Sequence, residues 1–440
     1  DHAFGNTQAL RVDDGSTVNF NQFDQTIGLL VAFGEDALQS SVGSSLSIGG
    51  GFIKGENTAL NSDITLTGDF EINNAQALGK GQVTINPQVT LAVDGANGVM
   101  LNSFAGENAS AIDFINSAVT TKVDAFKDYA GSLGIDENSS LSLSMSQLGE
   151  FGLSSGSDVK GELALGNVSF DLKANETFLH SAHITANGGT KLSVSDLIGS
   201  DKIDHLTLNS GSTIVFEKGG VPGTVDSPAH IDLGGNGQLD LNGQMTVQIN
   251  ISDLVNPDLV EDAQNELLNK PITSQDLLAD RTGTTLVNLI SGQVNKGQDW
   301  QGTLVVSPQQ GPSLTNEELT IGIADSTSGE EVAKGTYSYV LDTNESGLNL
   351  AYGLESLSLI EDKTLRLKGY DNADNTLSAV INGTGSLEVS SGTISLTADN
   401  DYQGSTTVLA GATLLTGENG ALGQTSLLHL VGSSSTQSGA

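Results

Sequence analysis

The sequence predicts an all-β chain coiled into a solenoid, and three observations carry that reading. Strand-like runs of about four residues, apolar and polar in alternation, recur along most of the chain and are cut by Gly, Asn and Asp. There are 54 Gly against 7 Pro, which favours many tight turns over a disordered Pro/Gly linker. Aromatic residues make up 5% of the chain, low for a large globular core but suited to a narrow one filled by Val, Ile, Leu and Ala.

The pattern is densest over residues 382–423. Ser386-Leu387-Glu388-Val389 alternates, Ser390-Ser391-Gly392 breaks it, and Thr393-Ile394-Ser395-Leu396 alternates again. Ala398-Asp399-Asn400-Asp401 turns the chain, and Thr406-Thr407-Val408-Leu409 and Ala412-Thr413-Leu414-Leu415 complete the set. Strands this short and closely spaced coil rather than hairpin, each turn touching only its neighbours. Leu396 and Val408 are expected to point inward.

The same residues resemble a known repeat. Gly383-x-Gly385-x-Leu387, Gly392-Thr393, Leu396, Asn400-x-Tyr402-x-Gly404-x-Thr406-x-Val408-x-x-Gly411-x-x-Leu414 and Ala421-Leu422-Gly423 look like the passenger-associated repeat of bacterial autotransporters, type V secreted proteins. The resemblance covers about forty residues densely and implies a fold and a secretion route, not an activity. It implies a right-handed parallel β-helix, here of about 16 rungs and roughly 80 Å at the ~4.8 Å strand spacing.

Composition narrows the function. The formal charge is -36, from 53 acidic and 17 basic residues, so nucleic acid and anionic polysaccharide are disfavoured partners. That acidity also keeps a β-rich chain soluble. Cys is absent, which suits a chain exported unfolded through a narrow pore. No run of about 18 apolar residues occurs, so no membrane-spanning helix is expected. Asp1-His2-Ala3 opens in mid-pattern without a signal peptide, like an excised piece.

In chain order, residues 1–97 read as rungs. Residues 3–12 line up with residues 421–430, either as units of a tandem array or as a common rung type. Residues 98–160 read as an insertion: Ile112, Ile115, Val119, Val123, Phe126 and Tyr129 recur at steps of three or four, one face of a helix of roughly 20 residues ended by Gly131 and Gly134. Ser139 to Ser144 suggests a strand beside it. Rungs resume over residues 161–251. Residues 252–280 read as a second helical insertion, with Asn256-Pro257 as cap and first residue, a stripe of Leu259, Val260, Ala263, Leu267 and Leu268, a stop at Pro271 and a shorter helix from Leu277. Residues 281–440 return to rungs. The apolar stripes of both insertions must be covered by the shaft or by a partner, and the first insertion is a candidate contact surface.

The motifs give little chemistry. Gly152-Leu153-Ser154-Ser155-Gly156 fits G-x-S-x-G, but no apolar strand precedes it and a chance match is the better reading. The Gly-Asp-Ser-Gly and Gly-Asp-Ser-Leu signatures of protease-type and lipase-type autotransporters are missing. His180-x-x-His183 invites a metal, yet on a strand these two point to opposite faces and read as surface histidines. Gly234-Gly235-Asn236-Gly237-Gln238-Leu239-Asp240 misses the calcium nonapeptide by one residue and reads as a turn. Arg11, Arg281 and Arg366 are too dispersed for a lyase-like groove, and Trp300 alone makes no sugar platform.

The expectation is therefore no catalytic site, no metal and no cofactor, with binding residues unassigned. The resemblance implies a surface adhesin passenger, acting in cell aggregation, biofilm formation or host attachment. Its partners would be other passengers or a host matrix protein or glycan, and a C-terminal outer-membrane β-barrel would lie outside this chain. A passive stalk and a polysaccharide-processing enzyme are the alternatives.

Overall fold

A computed structural model describes residues 6–217, 229–249, 254–278, 283–297, 299–306, 318–344, 346–370, 375–417 and 420–432. Among the described residues strands take 54% and helices 6%, arranged as a parallel β-solenoid of about 18 turns with two short helices. It divides into two compact units. The first is Asp1–Glu217 with Ala229–Val247 and Ser291–Lys296; the second is Lys218–Pro228, Gln248–Ile290 and Gly297–Ala440.

In the first unit, strand Gln25–Phe33 is the root of two stacks. Its first half pairs in parallel with Ser45–Ile48 and its second half with Gly51–Lys54. Asp63–Leu66, Gln82–Ile85 and Ser103–Gly106 extend the first stack. Phe70–Ile72, Thr90–Asp94, Ala111–Ile115 and Ser132–Ile135 extend the second. Register places Leu46, Ile64, Val83 and Phe104 over one another, and all four are buried. Each such side chain contributes about 1.5–3 kcal/mol by leaving water. At the corner between the stacks a Cβ on Gly68 would strike the carbonyl oxygen of Gly49, one turn earlier, so these turns stack only because the position carries no side chain.

A second sheet of the same unit repeats the device. Ala118–Lys122, Ser140–Glu150 and Glu162–Asp171 stack in parallel. Glu162–Asp171 then carries Ala182–Ala186 on its first half and Lys191–Val194 on its last residues.

The second unit mixes directions. Leu319–Ala324, Glu331–Asn344 and Gly347–Leu359 are antiparallel, with Tyr339 opposite Tyr352. Val380–Gly383 then adds in parallel to Gly347–Leu359. Thr364–Lys368, Ser386–Ser391, Thr406–Val408 and Leu428–Leu430 form one parallel stack, and Thr376–Leu377, Thr393–Leu396 and Thr413–Thr416 another. The strands read from residues 382–423 are thus present, with Leu396 and Val408 buried. Helix Pro257–Asn269 begins as its sequence dictates, the Asn256 side chain accepting the Asp258 N–H with Pro in the first turn. Val260 and Ala263 are buried beneath it while Leu259 and Leu268 face solvent, so only part of its apolar stripe is covered.

Two expectations fail. Residues 98–160 are turns of the solenoid, not a helical insertion: the supposed helix is strand Ala111–Ile115, strand Ala118–Lys122, a single 3-10 turn Val123–Phe126 and strand Asp128–Tyr129. The first α-helix is instead the one-turn Leu172–Asn175. Period two holds within each strand, Ile112 with Phe114 and Val119 with Thr121 being buried. The corner at Asn116, with φ 46°, resets the parity, so Ile112 and Val119 are both buried seven residues apart, while Ile115 lies on the other face of its strand. These extra turns help lift the number above 16. The shorter helix expected at Leu277 is a turn, closed by the Asp276 carboxylate accepting the Thr273 N–H and hydroxyl.

Buried asparagines tie turns together. Asn57 accepts the Leu38 N–H at 2.8 Å and donates to the Ala77 carbonyl at 2.9 Å, on the turns before and after its own. In the second unit Asn400 does the same between Ile381 N–H and Ala421 C=O, both at 2.7 Å. Asn400→Leu leaves both backbone groups unpaired, at about 1–3 kcal/mol each, and is expected to lower the denaturation midpoint; an unchanged midpoint would refute the role. Leu396→Asp buries an unpaired carboxylate. Because a solenoid shares stability between adjacent turns, hydrogen exchange should rise near residues 376–416 only. A uniform rise over the chain would contradict this.

Candidate functional site

A connected polar cluster lies on the second sheet of the first unit. Along its strands Leu163, Ile184, Leu206 and Leu239 alternate inward and are buried, which turns Glu162, His183, His205 and Gln238 outward in one row. Two residues on, Ala164, Thr185, Thr207, Asp240 and Asn295 form a second row. The corner after the strands carries an asparagine ladder: Asn209 donates to Asn187 Oδ1 at 2.9 Å and Asn242 donates to Asn209 Oδ1 at 3.0 Å.

His183 and His205 stack face to face, ring centroids 3.9 Å apart and planes 3° from parallel. A bulge makes this happen. Ala182 opposes Ile203 but His183 opposes His205, so Asp204 is the extra residue. Without it His205 would fall opposite Ile184 and be driven into the core.

The hydrogen bonds fix the ring protons. Thr185 Oγ1 donates to Glu162 Oε1 at 2.8 Å, so its 3.1 Å contact with His183 Nε2 must be the ring N–H donating to it. The same N–H faces Thr207 Oγ1 at 3.1 Å. His205 Nε2 lies 2.7 Å from Asp240 Oδ2 and donates to it, while Asn295 donates to Asp240 Oδ1 at 3.2 Å. Burial first, then the neighbouring His205, hold His183 below the usual imidazole range, against the pull of Glu162, Asp240 and Asp204.

Chemically the arrangement is a hydrogen-bonding face. The Thr185 hydroxyl gives its proton to a carboxylate rather than presenting it to an imidazole, the reverse of an activated nucleophile. Parallel rings aim their lone pairs along separate planes, so the pair cannot converge on one ion. No group of three or more His, Cys, Asp or Glu among the described residues is arranged to hold a metal.

The motifs singled out in the sequence fall elsewhere. Ser154 sits in the turn before strand Asp158–Val159, not at a strand-to-helix elbow. His180 contacts Asp158 at 2.9 Å, which also takes Lys160 at 2.7 Å, so His180 and His183 serve different partners. At Gly234 to Asp240 a turn forms, the Gly234 N–H donating to Asp232 at 2.8 Å, and Asp240 is committed to His205. Arg366 bridges Asp325 at 3.1 Å and Glu388 at 3.2 Å, Arg11 pairs with Asp13, and Arg281 lies outside the described residues. Trp300 is half-buried just before strand Gln301–Val306.

The true partner of His183 lies 22 residues on, one turn away, and the sequence carries the signal. His183-Ile184-Thr185-Ala186-Asn187 and His205-Leu206-Thr207-Leu208-Asn209 are the same phrase twice. Local spacing hid it; comparison at the length of one turn exposes it.

No protein-family model, curated protein or solved structure matches this chain. The likeness to autotransporter passengers therefore rests on its own residues.

With the near-calcium turn closed on itself, a chelator is expected to leave the melting temperature unchanged. A fall restored by calcium would return residues 234–240 to consideration as a metal site.

Proposed function

We propose that this chain is an adhesive passenger displayed on a bacterial surface, joining cells to one another or to a host surface through many weak polar contacts. The observation that carries the reading is the outward repetition on successive turns: hydroxyls, amides and carboxylates stand in rows one strand spacing apart, roughly 4.8 Å. Each group binds weakly, and the same group repeated along a stiff solenoid multiplies the effect. The partner is another passenger or a host matrix protein or glycan. The autotransporter-type repeat at 382–423 supports export to the cell surface, with anchoring through a β-barrel outside this chain.

The strand character of residues 97–160 moves the contact surface. These residues are turns of the shaft and cannot be trimmed as an appendage, so adhesion is assigned to the outward rows.

Sedimentation of the purified chain is expected to show mass rising with concentration, and display on non-aggregating cells to clump them. Gln238 and Gln293 are exposed neighbours in one row. Changing both to Glu adds like charge to an already acidic chain and should weaken association severalfold with the β-type circular dichroism intact. A chain that stays monomeric and leaves cells and host matrix unbound is a passive stalk, and turnover on a glycan panel would replace the reading with an enzyme.

A further inference from the structure

We propose that the stacked pair His183 and His205 is an acid-released fastener between two turns of the solenoid, closed at neutral pH and opened when both rings carry charge. The proposal stands apart from what the outer face binds, since it concerns the hold of one turn on the next.

The geometry sets where each ring can take a further proton. Both rings already use Nε2–H, His183 toward Thr185 and Thr207 and His205 toward Asp240, so any further proton goes to Nδ1. The charged groups facing the pair from the packed strands are Glu162 on Glu162–Asp171, Asp204 on Ile203–Leu208 and Asp240 on Gln238–Leu241. Asp240 touches His205 directly at 2.7 Å, whereas Glu162 reaches His183 only through the Thr185 hydroxyl. His205 therefore has a carboxylate in contact and His183 does not. Charging both rings puts a proton on the half-buried His183 against a cation stacked 3.9 Å away. Two parallel imidazolium rings at that distance repel, and they part only if the turns move.

The sign follows. A His whose folded form holds its proton less tightly than the unfolded form stabilises the fold above the unfolded pKa, and that contribution is lost as pH falls through the folded value. His183 is such a group, held low by burial and by His205. Loosening thus begins as pH falls through the ordinary imidazole range and grows below it. Ala182–Ala186 and Ile203–Leu208 are the strands released. Thr185 and Thr207, each less than a tenth exposed, are the hydroxyls uncovered.

The test is hydrogen exchange on the full chain at about pH 7.5 and about pH 5, corrected for intrinsic rates, beside an NMR titration of the ring protons. Protection over Ala182–Ala186 and Ile203–Leu208 is expected to fall severalfold at the lower pH. Asp63–Leu66 and Thr90–Asp94 carry no histidine and serve as controls. In His205→Gln the acid response should shrink, leaving only the part that burial of His183 causes, and the His183 midpoint should rise. His183→Gln should abolish the response. If both rings of the parent titrate together at ordinary values, or protection does not change, the proposal fails. An equal acid response in the two variants and the parent overturns it as well. The ring titration of the parent decides the matter even where a variant does not fold.

Discussion

Everything in this structure depends on register between successive turns. A parallel turn is held by backbone hydrogen bonds to the turn before it, and those bonds fix which side chain stands over which. Because side chains alternate at period two, a slip of one residue would exchange the buried and the wet rows entirely. The chain guards against slippage with devices tied to the backbone rather than to the core. Asn57 and Asn400 each clamp three turns by pairing with main-chain groups above and below. The corner at Gly68 admits no side chain against Gly49. Apolar stacking then supplies the energy, and the clamps select the register in which it is supplied.

That constraint explains what could be read in the sequence and what could not. The short strands at Ser386–Ser391, Thr393–Leu396 and Thr413–Thr416 were legible because each lies between unmistakable turn residues. The helix at Pro257–Asn269 was legible because Asn256 and Pro257 announce it. Residues 112–129 misled because three short strands and a tight turn, with a corner that shifts parity, imitate a helical stripe. The antiparallel pairing of Glu331–Asn344 with Gly347–Leu359 leaves no mark at single residues. The site was the least legible part. Its residues come from separate turns, brought into contact by a bulge at Asp204 that no local pattern reveals.

Charge plays a secondary role in the fold. Lys160 with Asp158, Lys191 with Glu217 and Lys363 with Glu330 are solvent-exposed pairs, whose attraction water and salt screen to little net effect. Asp325 differs, with a side chain only 1% exposed. It accepts the Thr327 N–H, the Ser328 N–H and the Ser328 hydroxyl, and meets Arg366 on its other oxygen. Those donors, the Ser328 N–H first, hold its carboxyl below the usual range. Its stabilising effect is therefore present at neutral pH and lost only as pH falls through that depressed value, well below the range in which imidazoles titrate.

The outer rows are where a solenoid is free to vary, and the histidine pair shows the limit of that freedom. A bulge interrupts the ladder and leaves one residue unpaired, so it disfavours the strand in which it sits. Here it lifts His205 out of the core, sets it on His183 and brings its Nε2 to Asp240. Gln238 occupies the next place in the same row, with an ordinary register and an exposed side chain. The row thus changes from a position fixed by its neighbours to one open to solvent within a single turn. Sequence freedom on this fold is set by the register beneath each residue, not by its exposure alone.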